Sequence, residues 1–81
     1  MNNEKAVETF GGYMLMYMDK HQKNKGDSWK TCDIEFLEDK LQEEMAEYTR
    51  SNCEDKAELI DIANIAMMLW LRKTHELIAL Q

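Results

Sequence analysis

At 81 residues the chain has room for one small domain, and folding buries only roughly 60% of the surface of a chain this short, so a lone protomer is marginally stable. The absence of proline, only three glycines and long stretches of Leu, Met, Ala, Glu, Lys and Gln argue against a sheet-rich fold and favour helices. A formal charge of −6 excludes nucleic acid as the main partner, because proteins that bind it cluster Lys and Arg against the phosphates; an anionic ligand here needs a bridging cation.

From Glu4 to about His21, the residues Ala6, Phe10, Tyr13, Met14, Tyr17 and His21 recur at spacings of three and four and predict a first helix with one apolar stripe. Gly11 and Gly12 each cost about 1 kcal/mol relative to Ala inside a helix, so they mark either a bend or a close helix contact. The run Gln22 to Ser28 loses the apolar period and gathers turn residues, which predicts a surface loop ahead of Trp29. Asp33 is placed as the N-cap of a second helix, whose stripe passes through Ile34, Leu37, Leu41, Met45 and Tyr48 and fails near Ser51.

Ser51-Asn52-Cys53-Glu54 has the Ser-x-x-Glu form of a capping box, so a third helix is expected to begin at about Glu54 and to run to about Leu80. So short a link forces an antiparallel helical hairpin, in which residues equally distant from the turn face one another. Leu59, Ile60, Ile62, Ala63, Ile65, Ala66, Met67, Met68, Leu69, Trp70 and Leu71 cover every side of the third helix, and a helix apolar all round must be buried all round. Two helices of so short a chain cannot cover it, so another copy is expected to pack there. The expected architecture is all-α: a single domain over residues 1–81, built as a three-helix protomer and assembling as a four-helix-bundle-type dimer or tetramer.

Leu59 to Leu71 is too short for a bilayer and contains Asp61 and Asn64, so no membrane span is expected. Cys32 and Cys53 lie far apart, and the chain opens on no signal-peptide pattern; both are expected to be free thiols in a reducing cytoplasm.

The chemistry lies in the acidic residues. The second helix carries Glu43-Glu44-Met45-Ala46-Glu47 and the third carries Glu58-Leu59-Ile60-Asp61. With sixteen acidic residues in the chain, either pattern alone reads as a solvated face. Position changes this reading. At 100° per residue Glu44 lies about 60° from Leu41 at the centre of its stripe and Glu47 about 120° away, while Asp61 shares the sector of Ala57, Ile65 and Met68. The pairs Glu44/Asp61 and Glu47/Glu58 are both centred on the link between Asn52 and Cys53, so all four carboxylates are expected to converge. Left bare they repel one another, and no Lys or Arg lies within one helical turn of Asp61. Oxygen-only donors suit Mg²⁺, with Mn²⁺ as a second possibility, rather than Zn²⁺; a zinc site from His21, Cys32, Cys53 and His75 has no recognised ligand spacing. Mg²⁺ typically joins a few carboxylates to substrate phosphates, which makes the patch a cradle for a nucleoside triphosphate, with Glu43 or Glu47 as the base that deprotonates an attacking water.

Glu43-Glu44-x-x-Glu47 followed by Glu58-x-x-Asp61 on an antiparallel helix pair resembles the MazG-type all-alpha nucleoside triphosphate pyrophosphohydrolases. The resemblance covers roughly residues 13 to 72 and takes in His21, Trp29 and Asp61-Ile62-Ala63-Asn64 running into an apolar helix, as in short phage-type MazG-like proteins. It implies Mg²⁺-dependent cleavage of a nucleoside triphosphate to monophosphate and pyrophosphate. It also implies metal ligands at Glu44, Glu47, Glu58 and Asp61, and subunits packed as dimers or tetramers.

Around this patch several residues carry two readings each. His21 and Trp29 either clamp a nucleobase or sit as a core-edge histidine and an anchoring tryptophan. Lys25, with Lys23 and Lys30 nearby, either reaches a distal phosphate or is solvated. Asn64 either orients a carboxylate or contacts a sugar hydroxyl of the substrate, or else fixes helix register through a hydrogen bond between subunits. Arg72 either approaches the phosphates or stabilises the end of its helix. For the whole chain, the alternative to an enzyme is a non-catalytic helical module that binds a nucleotide or a basic protein.

Overall fold

A computed structural model of the chain describes residues 1–75, apart from the side chains of residues 22–25. It is all-helical, with three α-helices, and contains no strand among the described residues. Helix α1 spans Asn3–Lys25, α2 spans Ile34–Arg50 and α3 spans Lys56–Lys73, with one 3₁₀ turn, Ser28–Lys30, between the first two. None of these helices is long and apolar enough to cross a membrane.

Two of the expected boundaries move. The first helix continues to Lys25 instead of giving way to a loop at Gln22, because Gln22, Lys23 and Lys25 are good helix formers even without an apolar face. The loop shrinks to Gly26 and Asp27, where Gly26 takes a left-handed φ of 57° that ends the helix. The third helix starts at Lys56 and not at Glu54. Ser51 does not cap it: its hydroxyl donates to the Tyr48 carbonyl at 2.7 Å and accepts from the amides of Glu54 and Asp55 at 3.3 and 3.1 Å. The N-cap is Asp55, which accepts from the Ala57 amide at 3.1 Å, an interaction worth about 1 kcal/mol. At its far end α3 stops at Lys73, and Thr74 and His75 turn away; the expected continuation to Leu80 falls on residues 76–81, outside the described residues.

Helices α2 and α3 pack antiparallel, with Lys73 of α3 donating to Glu38 of α2 at 3.1 Å at one end and Glu58 meeting Glu44 near the other. Helix α1 lies against α3, where Asn64 Nδ2 donates to the Met14 carbonyl at 3.1 Å. Leu37, Ile65 and Leu69 form the buried core, with Trp29, Cys32, Ile34, Leu41 and Met68 packed around them. Each of the three buried side chains contributes roughly 1.5–3 kcal/mol. The core is small for three helices.

The buried face of α2 is rolled from its apolar stripe. Leu37 and Glu44 are its buried residues, whereas Met45, expected in the core, is 51% exposed. Since Glu44 and Met45 lie on opposite flanks of Leu41, the helix has turned its acidic flank inward. Helix α3 buries Asn64, Ile65 and Leu69, while Leu59, Ala66 and Trp70 face outward, so within the protomer it is not covered on all sides.

Candidate functional site

Glu44 and Glu47 stand one turn apart on α2, and Glu58 opens α3. One oxygen from each lies within 4.8 Å of the other two. Glu44 is buried, Glu47 and Glu58 are half-buried, and Glu58 Oε2 is enclosed with no hydrogen-bond partner. The hydrogen bond to Glu44, then burial, then the charges of Glu44, Glu47 and Asp61 push the Glu58 carboxyl up to about 8. Glu44 moves the other way. Burial opposes its charge, but the hydrogen bond from Glu58 and the Lys40 ammonium together outweigh burial and hold Glu44 below the ordinary carboxylate range. At neutral pH the pair therefore shares one proton, donated by Glu58 and accepted by Glu44.

Such a group can exchange its proton for a hard cation. Neighbouring oxygens on an octahedral Mg²⁺ lie about 3.0 Å apart at bonds of about 2.1 Å, so closing the triad on an ion draws its three carboxylates closer together.

Next to the triad is a cavity of about 470 Å³, bounded by all three helices and the 3₁₀ turn. His21, Trp29, Lys40, Glu44, Asp61 and Asn64 all contribute to its wall. Glu44 thus belongs to both features. Trp29 is presented by the 3₁₀ turn, which Arg72 holds in place: its Nη1 donates to the Trp29 carbonyl at 2.9 Å and to Cys32 Sγ at 3.8 Å. Arg72 thus ties α3 to the 3₁₀ turn, which is neither of its two expected roles. Cys32 and Cys53 are both free thiols.

Asp61 falls outside the triad. Its Oδ1 faces His21 Nε2 at 3.8 Å across the α1–α3 contact. Burial, then the charge of Glu44, raise its pKa against the opposing pull of His21 and Lys40. The turn explains the altered register. A residue in extended conformation, as at Asp55, advances about 3.3 Å against 1.5 Å in a helix. Extended Asp55 therefore carries Glu58 roughly 2 Å past the level expected for a continuous helix, from Glu47 toward Glu44.

The remaining expected residues divide. Glu43 is exposed and outside the cavity wall, with the Lys40 ammonium 3.8 Å away. The side chain of Lys25 lies outside the described residues. Asn64 is buried, and its Nδ2 is engaged within the protomer, because the Met14 carbonyl can only accept; this turns Oδ1 the other way, where it is enclosed without a partner. Comparison with family models, with curated proteins and with solved structures returns no match.

Lys40 is the residue that a reading of the acidic motifs alone passes over. Its Nζ lies 3.4 Å from Glu44 Oε1, and the signal was present as a Lys-to-Glu pair four residues apart on one helix face. Asp19, Met18, Cys32 and Phe36 also line the cavity, but a wall drawn from four elements leaves no linear signature.

Proposed function

We propose that the protein is a Mg²⁺-dependent nucleoside triphosphate pyrophosphohydrolase, with Mn²⁺ able to replace Mg²⁺. One observation carries the reading: Glu44 is at once a member of the carboxylate triad and part of the wall of a cavity in the size range of small-molecule sites. A ligand spanning the two has phosphates at the acidic end and an organic group toward Trp29, with His21 on the same wall beside Asp61.

Glu44, Glu47 and Glu58 would hold the ion, with Asp61, on the cavity wall, as the fourth carboxylate of the site. A bound Mg²⁺ supplies neutralisation of phosphate charge and eases deprotonation of water. Glu47 accepts the proton of the attacking water, with Glu43 as the second candidate, while an oxygen–phosphorus bond forms and the bridge to pyrophosphate breaks. Trp29 and His21 flank the base. The resemblance of the acidic motifs to MazG-type enzymes supports this reading.

A dimer or dimer of dimers completes the proposal. It is supported by Val7, Phe10, Leu15 and Met16 of α1 and Trp70 of α3, which all stay exposed on the protomer.

The deciding experiment incubates pure protein and Mg²⁺ with the common ribo- and deoxyribonucleoside triphosphates, beside Asp61→Ala and Glu58→Gln. Pyrophosphate release by the wild type that both variants lose is the expected result. No release from any of them, together with no heat of nucleotide binding, leaves the non-catalytic protein-binding module in its place.

A further inference from the structure

Lys30 and Lys40 are the lysines that line the cavity among the described residues, and they are differently placed. Lys30 pairs with Asp27 at 3.5 Å and stands 5.8 Å from the centre of the Trp29 ring, at the organic end. Lys40 stands where the cavity meets the triad, 3.4 Å from Glu44 and 3.8 Å from Glu43. Both Lys40 contacts are longer than the roughly 2.7–2.9 Å of a tight charge-assisted hydrogen bond, and both partners lie one turn along its own helix. A change of rotamer therefore moves the ammonium several ångströms without any backbone rearrangement.

Electrostatics gives that freedom a direction. A divalent ion on Glu44, Glu47 and Glu58 takes the carboxylate that Lys40 now neutralises and repels the ammonium beside it. A triphosphate that arrives with the ion brings more negative charge than the ion cancels, and its uncoordinated oxygens need donors. Asn64 Oδ1, on a residue of the cavity wall, and Glu58 Oε2, in the triad, are each enclosed without a partner, two buried polar atoms that a polar ligand would satisfy.

We propose that Lys40 is a transfer cation: it balances Glu44 when no divalent ion is present and moves to a phosphate oxygen when a metal-bound triphosphate occupies the site. Lysine and metal then compete for Glu44, while lysine and metal-bound phosphate act together. The inference rests on the reading of triad and cavity as a metal–nucleotide site.

The opposite signs of the two effects make it testable. Titrations of Mn²⁺ alone, and of inorganic tripolyphosphate onto Mn²⁺-loaded protein, are run on wild type, Lys40→Met and Lys40→Arg. Lys40→Met keeps the apolar stem and removes the charge. It should tighten Mn²⁺ alone by roughly threefold or more and weaken tripolyphosphate by roughly tenfold or more, whereas Lys40→Arg stays within a few-fold of wild type for tripolyphosphate. Thermal melts followed by circular dichroism confirm that all three proteins are folded. A merely structural lysine would not move the two affinities in opposite directions. If wild type binds both probes and Lys40→Met binds tripolyphosphate as tightly, or Mn²⁺ more weakly, the transfer role alone is overturned. If wild type binds neither probe, the transfer role falls together with the metal–nucleotide reading.

Discussion

The two ends of the protomer are incomplete in different ways. Where α2 and α3 turn back on each other, carboxylates crowd together and one of them, Glu58, keeps its proton at neutral pH. At the start of α1, by contrast, residues 3–13 are exposed throughout, although their apolar stripe is the continuation of the one that Met14, Tyr17 and Met18 set against the rest of the molecule. One end has surplus charge and the other surplus apolar surface. In the proposed reading a cation would relieve the first and a second copy the second, two kinds of partner that would not compete.

The largest expected effect lies at the acidic end. Glu58→Gln removes a proposed metal ligand and should weaken Mn²⁺ binding by about 100-fold or more in titration calorimetry. The same change should raise the melting temperature of the metal-free protein near neutral pH, because Gln cannot ionise and the unfolded chain no longer gains from releasing the Glu58 proton. An unchanged Mn²⁺ affinity would dissolve the distinction between the two ends. At the apolar end Phe10→Asp should weaken self-association by roughly 30-fold, about 2 kcal/mol, in sedimentation experiments, with metal affinity unaffected. A wild type that stays monomeric at micromolar concentration would remove the need for a second copy.

A smaller effect follows from acidity. Glu58 titrates at about 8 in the folded chain against its ordinary 4.5, so between these values the unfolded chain gives up its proton first and gains stability relative to the fold. The stability that Glu58 contributes is therefore present below about pH 4.5 and lost as pH rises through about 8. Asp61, also raised, acts in the same direction from 3.8 upward, whereas the lowered Glu44 acts below its ordinary 4.5, where its contribution is lost as pH falls. The melting temperature of metal-free protein should thus fall between about pH 5 and about pH 8, and saturating Mg²⁺ should remove most of that fall. The smallest effect sharpens the comparison from the apolar side. A Cβ built on Gly11 meets nothing within 4 Å, so Gly11→Ala should stabilise an isolated protomer by up to about 1 kcal/mol. A loss of association in the same variant would place the second copy directly against Gly11.

The three helices were legible because each carries apolar residues at spacings of three and four, and Glu44, Glu47 and Glu58 were legible because hairpin geometry brings residues near the turn together. What stayed hidden depended on conformations that residue type does not announce. Asn52 is a residue that tolerates a left-handed φ, but nothing in Cys53 foretells that it adopts one as well, at 60° after 61°, or that Asp55 is extended, and these choices decide that Glu58 meets Glu44 while Asp61 turns to His21. The end of α1 was obscured because polar helix formers leave no periodic trace. Lys40 went unread because attention to acidic spacing passes over the base that accompanies it.

That link between Ser51 and Asp55 works as a gauge block. One residue inserted into either helix between it and the acidic side chains would swing those side chains by about 100° and separate Glu58 from its partners, whereas the same insertion in the first turns of α1 would leave Glu44, Glu47 and Glu58 together. Drift in length is thus tolerated at the front of the chain and forbidden across a short stretch around its only hairpin among the described residues, and the calibration of the acidic pocket is set by two consecutive residues that never touch it.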